Sequence, residues 1–136
     1  MDFLLIILSL NDLLTKTKSK NAIISVVGLG RVGLPLSSVL ANSGFNVIGI
    51  DINSEKLASI KNAICPFFDP SLQENLKKSI GSGLFTVSKN IPNDIDVIFL
   101  TVGTPASSEG SADYSQLYSA IDEICSINIS GNNLTG

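Results

Sequence analysis

Along this chain, short unbroken runs of apolar residues alternate with stretches in which apolar positions recur every three or four residues. Ile23-Ile24-Ser25-Val26-Val27 is a β-branched run of strand length that stops at Gly28, the pattern of a strand buried on both faces of a parallel sheet. Beyond it Val32, Leu36, Val39 and Leu40 fall at i, i+4, i+7 and i+8, one apolar stripe of a helix. That helix ends near Asn42-Ser43-Gly44 and, with Pro35 confined to its first turn or just past it, begins near Arg31. Asn46 to Asp51 reads as a second strand and Ser54 to about Ile60 as a second, short helix. Two strand–helix steps in succession predict a right-handed, parallel α/β arrangement.

A loop from Asn62 to Pro70 carries Pro66, Phe67, Phe68 and Asp69, and a polar amphipathic helix runs from Ser71 to the stop at Gly81-Ser82-Gly83. Leu84 to Val87 predicts a short third strand, and Asp96 to Val102 a buried fourth that ends at Gly103-Thr104-Pro105. Asp113 is placed to cap a helix through about Ile127, with Leu117, Ala120, Ile121 and Ile124 on its inner face. Residues 1–21 have a different character: an apolar run, Phe3 to Leu8, then Leu13-Leu14 and the polar, basic stretch Thr15 to Lys20. The spacing of Leu4, Ile7 and Leu8 suits a short helix followed by a linker. Asp2 stands where a signal peptide is positive, and the run is far below the ~20 residues of a membrane span, so neither signal nor anchor is expected. The expected organisation is an extension over 1–21 and an α/β, doubly wound domain over 22–136, its sheet stopping after about four strands.

Composition narrows the function. A chain of 136 residues makes one domain and is too short for two catalytic ones. With 44% hydrophobic and 15% charged residues it is not a disordered chain. Nine Lys and Arg against twelve Asp and Glu, net −3, give no basic footprint for nucleic acid. Histidine is absent, which excludes an imidazole base, an imidazole metal ligand and a Ser-His pair within this chain. Cys65 and Cys125 form no C-x-x-C pair and cannot alone supply a disulfide framework or a metal site. A reducing cytoplasm is the simplest setting, and Cys65, without a histidine or identifiable basic partner, reads as a structural thiol.

The chemistry concentrates in one segment. Gly28-Leu29-Gly30-Arg31-Val32-Gly33 is a G-x-G-x-x-G turn between a buried strand and an amphipathic helix. Its first glycine permits a tight turn, its second lets backbone approach a pyrophosphate, and its third lets the helix pack closely on the strand. The helix N-terminus then faces the anion. Asp51 closes the second strand about twenty residues on, the position from which a carboxylate accepts adenosine ribose hydroxyls and repels a 2′-phosphate, favouring NAD over NADP. Other readings stand beside these: the glycines as a plain tight connector, Asp51 as a strand-end acceptor of loop N–H groups, and Arg31 either as a phosphate or adenine contact or as an exposed helix-start arginine. Thr104, at the carboxyl edge of the sheet, either touches the cofactor or initiates the Gly103-Thr104-Pro105 turn.

Together, the run from Val26 to Leu36, Asp51 with Lys56, the segment Pro66 to Leu72, and Val102-Gly103-Thr104-Pro105 resemble the NAD-binding domain of the UDP-glucose/GDP-mannose dehydrogenase family over about Ala22 to Ile127. The resemblance implies a Rossmann-type sheet and an NAD-dependent oxidoreductase of polysaccharide biosynthesis. Such enzymes, UDP-N-acetylmannosamine dehydrogenases among them, oxidise the primary alcohol of a UDP- or GDP-sugar to a carboxylate in two hydride transfers. It maps cofactor roles onto Gly28, Gly30, Gly33 and the intervening Arg31 and Val32, onto Asp51 for the ribose, Lys56 for the adenosine end and Thr104 for the cofactor's inner part. Arg31 replaces a frequent tyrosine, Asp69 a usual glutamate and Ser71 a usual glycine. The family's catalytic cysteine, lysine and asparagine have no counterparts here, so no catalytic residue carries over. The resemblance therefore implies a truncated product or fragment that binds NAD but needs a missing half to act on a nucleotide sugar. An open sheet edge would then favour self-association or pairing with a catalytic subunit. A rival reading is a regulatory NAD-sensing module like the cytoplasmic domains of potassium transporters; a third is the NAD-binding half of a hydroxyacid or sugar-phosphate dehydrogenase. The Asn62 to Gly83 insertion and Gly103-Thr104-Pro105 favour the sugar-nucleotide enzyme over both.

Overall fold

The computed structural model describes residues 5–8, 21–106 and 109–126. Within them the apolar runs become strands β1 (Leu5–Leu8), β2 (Ile23–Val27), β3 (Asn46–Ile50), β4 (Phe85–Ser88) and β5 (Val97–Leu100). The periodic stretches become helices α1 (Gly33–Asn42), α2 (Ser54–Lys61), α3 (Pro70–Gly81) and α4 (Ser115–Cys125). The strands make one sheet in the order β1-β5-β2-β3-β4. Four of them, β5, β2, β3 and β4, run parallel, the order of the first half of a doubly wound nucleotide-binding sheet.

Side chains alternate across this sheet as the pleat requires. Ile24, Val26, Val47, Phe85 and Val97 meet Leu34 and Ala41 of α1, Ile60 of α2 and Leu72 and Leu76 of α3 in one core. Val27, Ile50, Ile98 and Leu100 meet Leu117, Ala120 and Ile124 of α4 in the other. The α/β, doubly wound arrangement expected from the sequence is thus present, with helices on both faces. Register sets the functional end: Val27 stands opposite both Ile50 and Leu100, so the loops leaving β2, β3 and β5 emerge side by side.

Local signals fix the helix starts. Asp69 accepts the Leu72 N–H at 3.0 Å with Pro70 in the first turn of α3, and Asn53 accepts the Lys56 N–H at 3.1 Å at the start of α2. In α3, Gln73 reaches back: its Oε1 accepts the Cys65 N–H at 2.9 Å and its Nε2 donates to the Ala63 carbonyl at 2.7 Å. This clamps the proline and phenylalanine loop against the helix.

The N-terminal segment departs from expectation. Where a short helix was expected, Leu5–Leu8 is a strand, antiparallel to β5 with Leu5 opposite Leu100 and Leu8 opposite Val97. The open ladder of β5 offers hydrogen-bonding partners that a short isolated helix lacks, and tertiary pairing outweighs a weak local period. It follows that the β5 edge, expected to be bare, is covered. The remaining part of the expected extension, residues 1–4 and 9–20, lies outside the described residues, as do 127–136. No helix among the described residues is long and apolar enough to cross a membrane.

Candidate functional site

The glycine turn is anchored to all three converging strands. Gly28 donates its N–H to the Ile50 carbonyl at 2.7 Å, and its φ of +95° lies in the region that favours glycine. A Cβ there would also stand 2.7 Å from the Thr101 carbonyl oxygen, so no other residue fits. At Gly33 a Cβ would collide with the Gly28 carbonyl and the Thr101 hydroxyl. Between the glycines, Leu29 is fully buried and packs against Gly49 of β3, where a Cβ would meet both Leu29 methyls at 2.9 Å. One buried side chain therefore plugs the turn into the core while Gly28 and Gly30 on either side of it stay partly exposed.

Asp51 leaves the end of β3 and turns back toward this loop. Its Oδ2 accepts the Leu29 N–H at 2.9 Å and the Lys56 ammonium at 3.2 Å, and its Oδ1 accepts the Asn53 N–H at 2.9 Å. The side chain is 9% exposed, that of Lys56 27%. An ionised carboxylate offers about four acceptor positions, so three donors leave one, on Oδ1, for a ligand hydroxyl. The loop-N–H role and the ligand role are compatible at this residue. Lys56 reaches Asp51 because α2 starts at Ser54, immediately after its N-cap Asn53, which turns the helix's first turn over the strand end.

A cleft of about 640 Å³ opens where these loops meet. Gly28, Gly30, Asp51 and Lys56 line it. Of the other residues singled out in the sequence, Gly33 lies beneath the turn, and Arg31, Val32 and Thr104 stand beside the cleft rather than on its wall. The Arg31 guanidinium instead sits 4.7 Å over the Phe67 ring, a cation–π contact joining the glycine turn to the Phe67 loop. Thr104 follows Gly103, which does line the cleft. Sequence reasoning missed the far wall, formed by Lys89, Ile91, Ser115, Gln116, Ser119 and Glu123. Glu123 is engaged there, accepting the Ile91 N–H at 2.8 Å. No local motif marks these residues; only the packing of α4 on the second core brings them in. Where the glycine turn borders the cleft, α1 has no side-chain cap at its N-terminus and no acidic residue in its first turn, leaving its dipole open to an anion.

Residues 22–134 match the NAD binding domain of the UDP-glucose/GDP-mannose dehydrogenase family. The chain belongs to that family. A putative UDP-glucose 6-dehydrogenase, YtcA of Bacillus subtilis, is 37% identical over 101 residues, 74% of this chain and 24% of the relative. The UDP-N-acetyl-D-mannosamine dehydrogenase of Methanococcus maripaludis is 35% identical over 113 residues, 80% of this chain and 26% of the relative. The solved structure of the UDP-N-acetyl-mannosamine dehydrogenase Cap5O from S. aureus superposes with a TM-score of 0.71 at 35% identity, covering 76% of this chain and 25% of that one. The chain thus spans about a quarter of the length of these relatives. The fold and family expected from the sequence stand, and the match is with the dehydrogenase domain rather than with a transporter's sensing module.

The cleft of this UDP-glucose/GDP-mannose dehydrogenase family member fits NAD on its own geometry. The Gly28 and Gly33 positions admit no Cβ, and Asp51 keeps an acceptor position free for a ligand hydroxyl. Gly28, Gly30 and the start of α1 would hold the pyrophosphate, Asp51 and Lys56 the adenosine ribose.

Proposed function

We propose that this chain is the NAD-holding part of a nucleotide-sugar dehydrogenase that oxidises the primary alcohol of a UDP- or GDP-sugar to a carboxylate. The observation that carries the reading is the Asp51 carboxylate, held 2.9 Å from the Leu29 N–H within the same cleft as the glycine turn. When bound, NAD would supply the hydride acceptor for both two-electron oxidations, with water the source of the second carboxylate oxygen. The chain's own residues bind and orient. The turn and the α1 N-terminus receive the pyrophosphate, with Arg31 and Val32 contributing turn backbone. Asp51 and Lys56 fix the ribose, and Thr104 lies near the cofactor's inner part. Catalytic groups come from a catalytic subunit that carries them and pairs with this chain. The setting is the cytoplasm and the product class a precursor of acidic polysaccharide.

NAD rather than NADP follows from charge, because a 2′-phosphate would be pressed against Asp51. Calorimetric titration of the chain with NAD and NADP, repeated on Asp51→Asn, tests this. We expect NAD to bind several-fold tighter than NADP, and Asp51→Asn to weaken NAD about tenfold, the loss typical of a hydrogen bond to a charged acceptor. The substitution should narrow the preference, since it removes the repulsion and frees Lys56. Equal affinity of the parent chain for both cofactors would contradict the assignment of Asp51.

A further inference from the structure

We propose that Thr101, the residue immediately after β5, is a positioning residue that sets the Gly28–Leu29 peptide plane and through it joins the phosphate turn to the ribose acid. The proposal rests on the NAD reading of the cleft. Thr101 is 2% exposed. Its N–H donates to the Val27 carbonyl at 2.8 Å, continuing the β2–β5 ladder by one residue past the strand. Its hydroxyl stands 3.1 Å from the Val27 carbonyl and 2.6 Å from the Gly28 carbonyl. A hydroxyl has a single proton to donate, and the shorter approach assigns it to Gly28.

The consequence lies in the geometry of one peptide. In a trans peptide the C=O and the following N–H point in opposite directions. Here the Gly28 C=O is held by Thr101 on the inner side, and the Leu29 N–H is held by Asp51 at 2.9 Å on the cleft side. The plane is gripped at both ends, so the two side chains fix each other's distance through it. Both outer glycines of the motif are shaped around the same residue: a Cβ at Gly28 would meet the Thr101 backbone at 2.7 Å, and one at Gly33 would strike the Thr101 hydroxyl. A valine at 101 would have nearly the same shape and leave the Gly28 carbonyl without this donor. The peptide would then be free to tilt, carrying the turn's N–H groups and Asp51 off their aim.

Two readouts separate this role from simple stability. The first is the NAD dissociation constant of Thr101→Val and Thr101→Ser beside the parent. We expect Thr101→Val to bind about tenfold more weakly, as for one buried hydrogen bond lost, and Thr101→Ser, which keeps the hydroxyl, to bind within about twofold of the parent. The second needs no cofactor: hydrogen exchange of the Leu29 amide in the free protein, expected to be faster by about tenfold relative to the core amides of β2 and β3 in Thr101→Val and unchanged in Thr101→Ser. Should Thr101→Val lose its cooperative melt, Thr101→Ala is read in its place. Parent-like NAD affinity together with parent-like Leu29 exchange in the folded hydroxyl-free variant overturns the proposal. A folded parent that binds no NAD would defeat the cofactor reading, and Leu29 exchange would still decide for or against Thr101.

Discussion

Gly28 and Gly33 sit where the packing of the turn leaves no room for a side chain. At Gly33 even a methyl has nowhere to go, because the obstructing atoms are a backbone carbonyl and a buried hydroxyl. Gly33→Ala is therefore expected to destabilise the chain by about 1–3 kcal/mol, as overpacking does, and to weaken NAD binding beyond what a matched loss of stability elsewhere would cause. Thermal unfolding alongside an affinity measurement checks both. These glycines and Asp51 were legible in the sequence because a short motif carries their physics: positive φ, close approach, and an acid at the next strand end. Thr101 was not. Its partner Gly28 lies 73 positions earlier, and no pattern near Thr101 announces a contact across the sheet. Arg31 was open between two readings, and the ring that holds it, Phe67, is also distant in sequence.

Among the elements, those with a start signal and a full apolar period were readable to within a residue or two. The Asp69-Pro70 start of α3 and the inner face of α4 are examples, Leu117, Ala120 and Ile124 being buried. β1 was not, since the short apolar run Phe3 to Leu8 suits a helix or a strand until a neighbour offers a ladder. The start of α4 makes a prediction. The Asp113 carboxyl accepts the Ser115 N–H at 2.9 Å, and that backbone bond, with a second from the Ser115 side chain, holds its pKa below the ordinary 3.8. A carboxyl lowered on folding contributes order that is complete above its unfolded pKa and is lost as pH falls through its folded one. The Ser115 amide resonance should therefore shift on acidification with a midpoint below that of a free aspartate, and Asp113→Asn should abolish the shift. A midpoint above 3.8 would contradict the bond's role.

For the whole molecule, the sheet order is what brings the turn after β2, Asp51 after β3 and Thr101 after β5 to one edge. In a doubly wound sheet the place beside β5 belongs to the next parallel strand; here β1 fills it, antiparallel. That arrangement covers an edge which would otherwise recruit another chain. Removing Leu5–Leu8 is expected to raise self-association, seen as a larger sedimentation coefficient or increased light scattering at micromolar concentration. An unaltered association state would show that β1 does not guard the edge.

If NAD seats its pyrophosphate on the glycine turn and its ribose on Asp51, the amides of those segments sense it. Amide chemical-shift mapping of the isotopically labelled chain during NAD addition tests this most directly. Saturable shifts are expected at Gly28 to Gly33, Asp51 to Lys56 and Gly103, with little change at Leu72 to Ser79 on the far side of the sheet. Saturable shifts centred elsewhere, or none from a cooperatively folded chain at millimolar NAD, would contradict it.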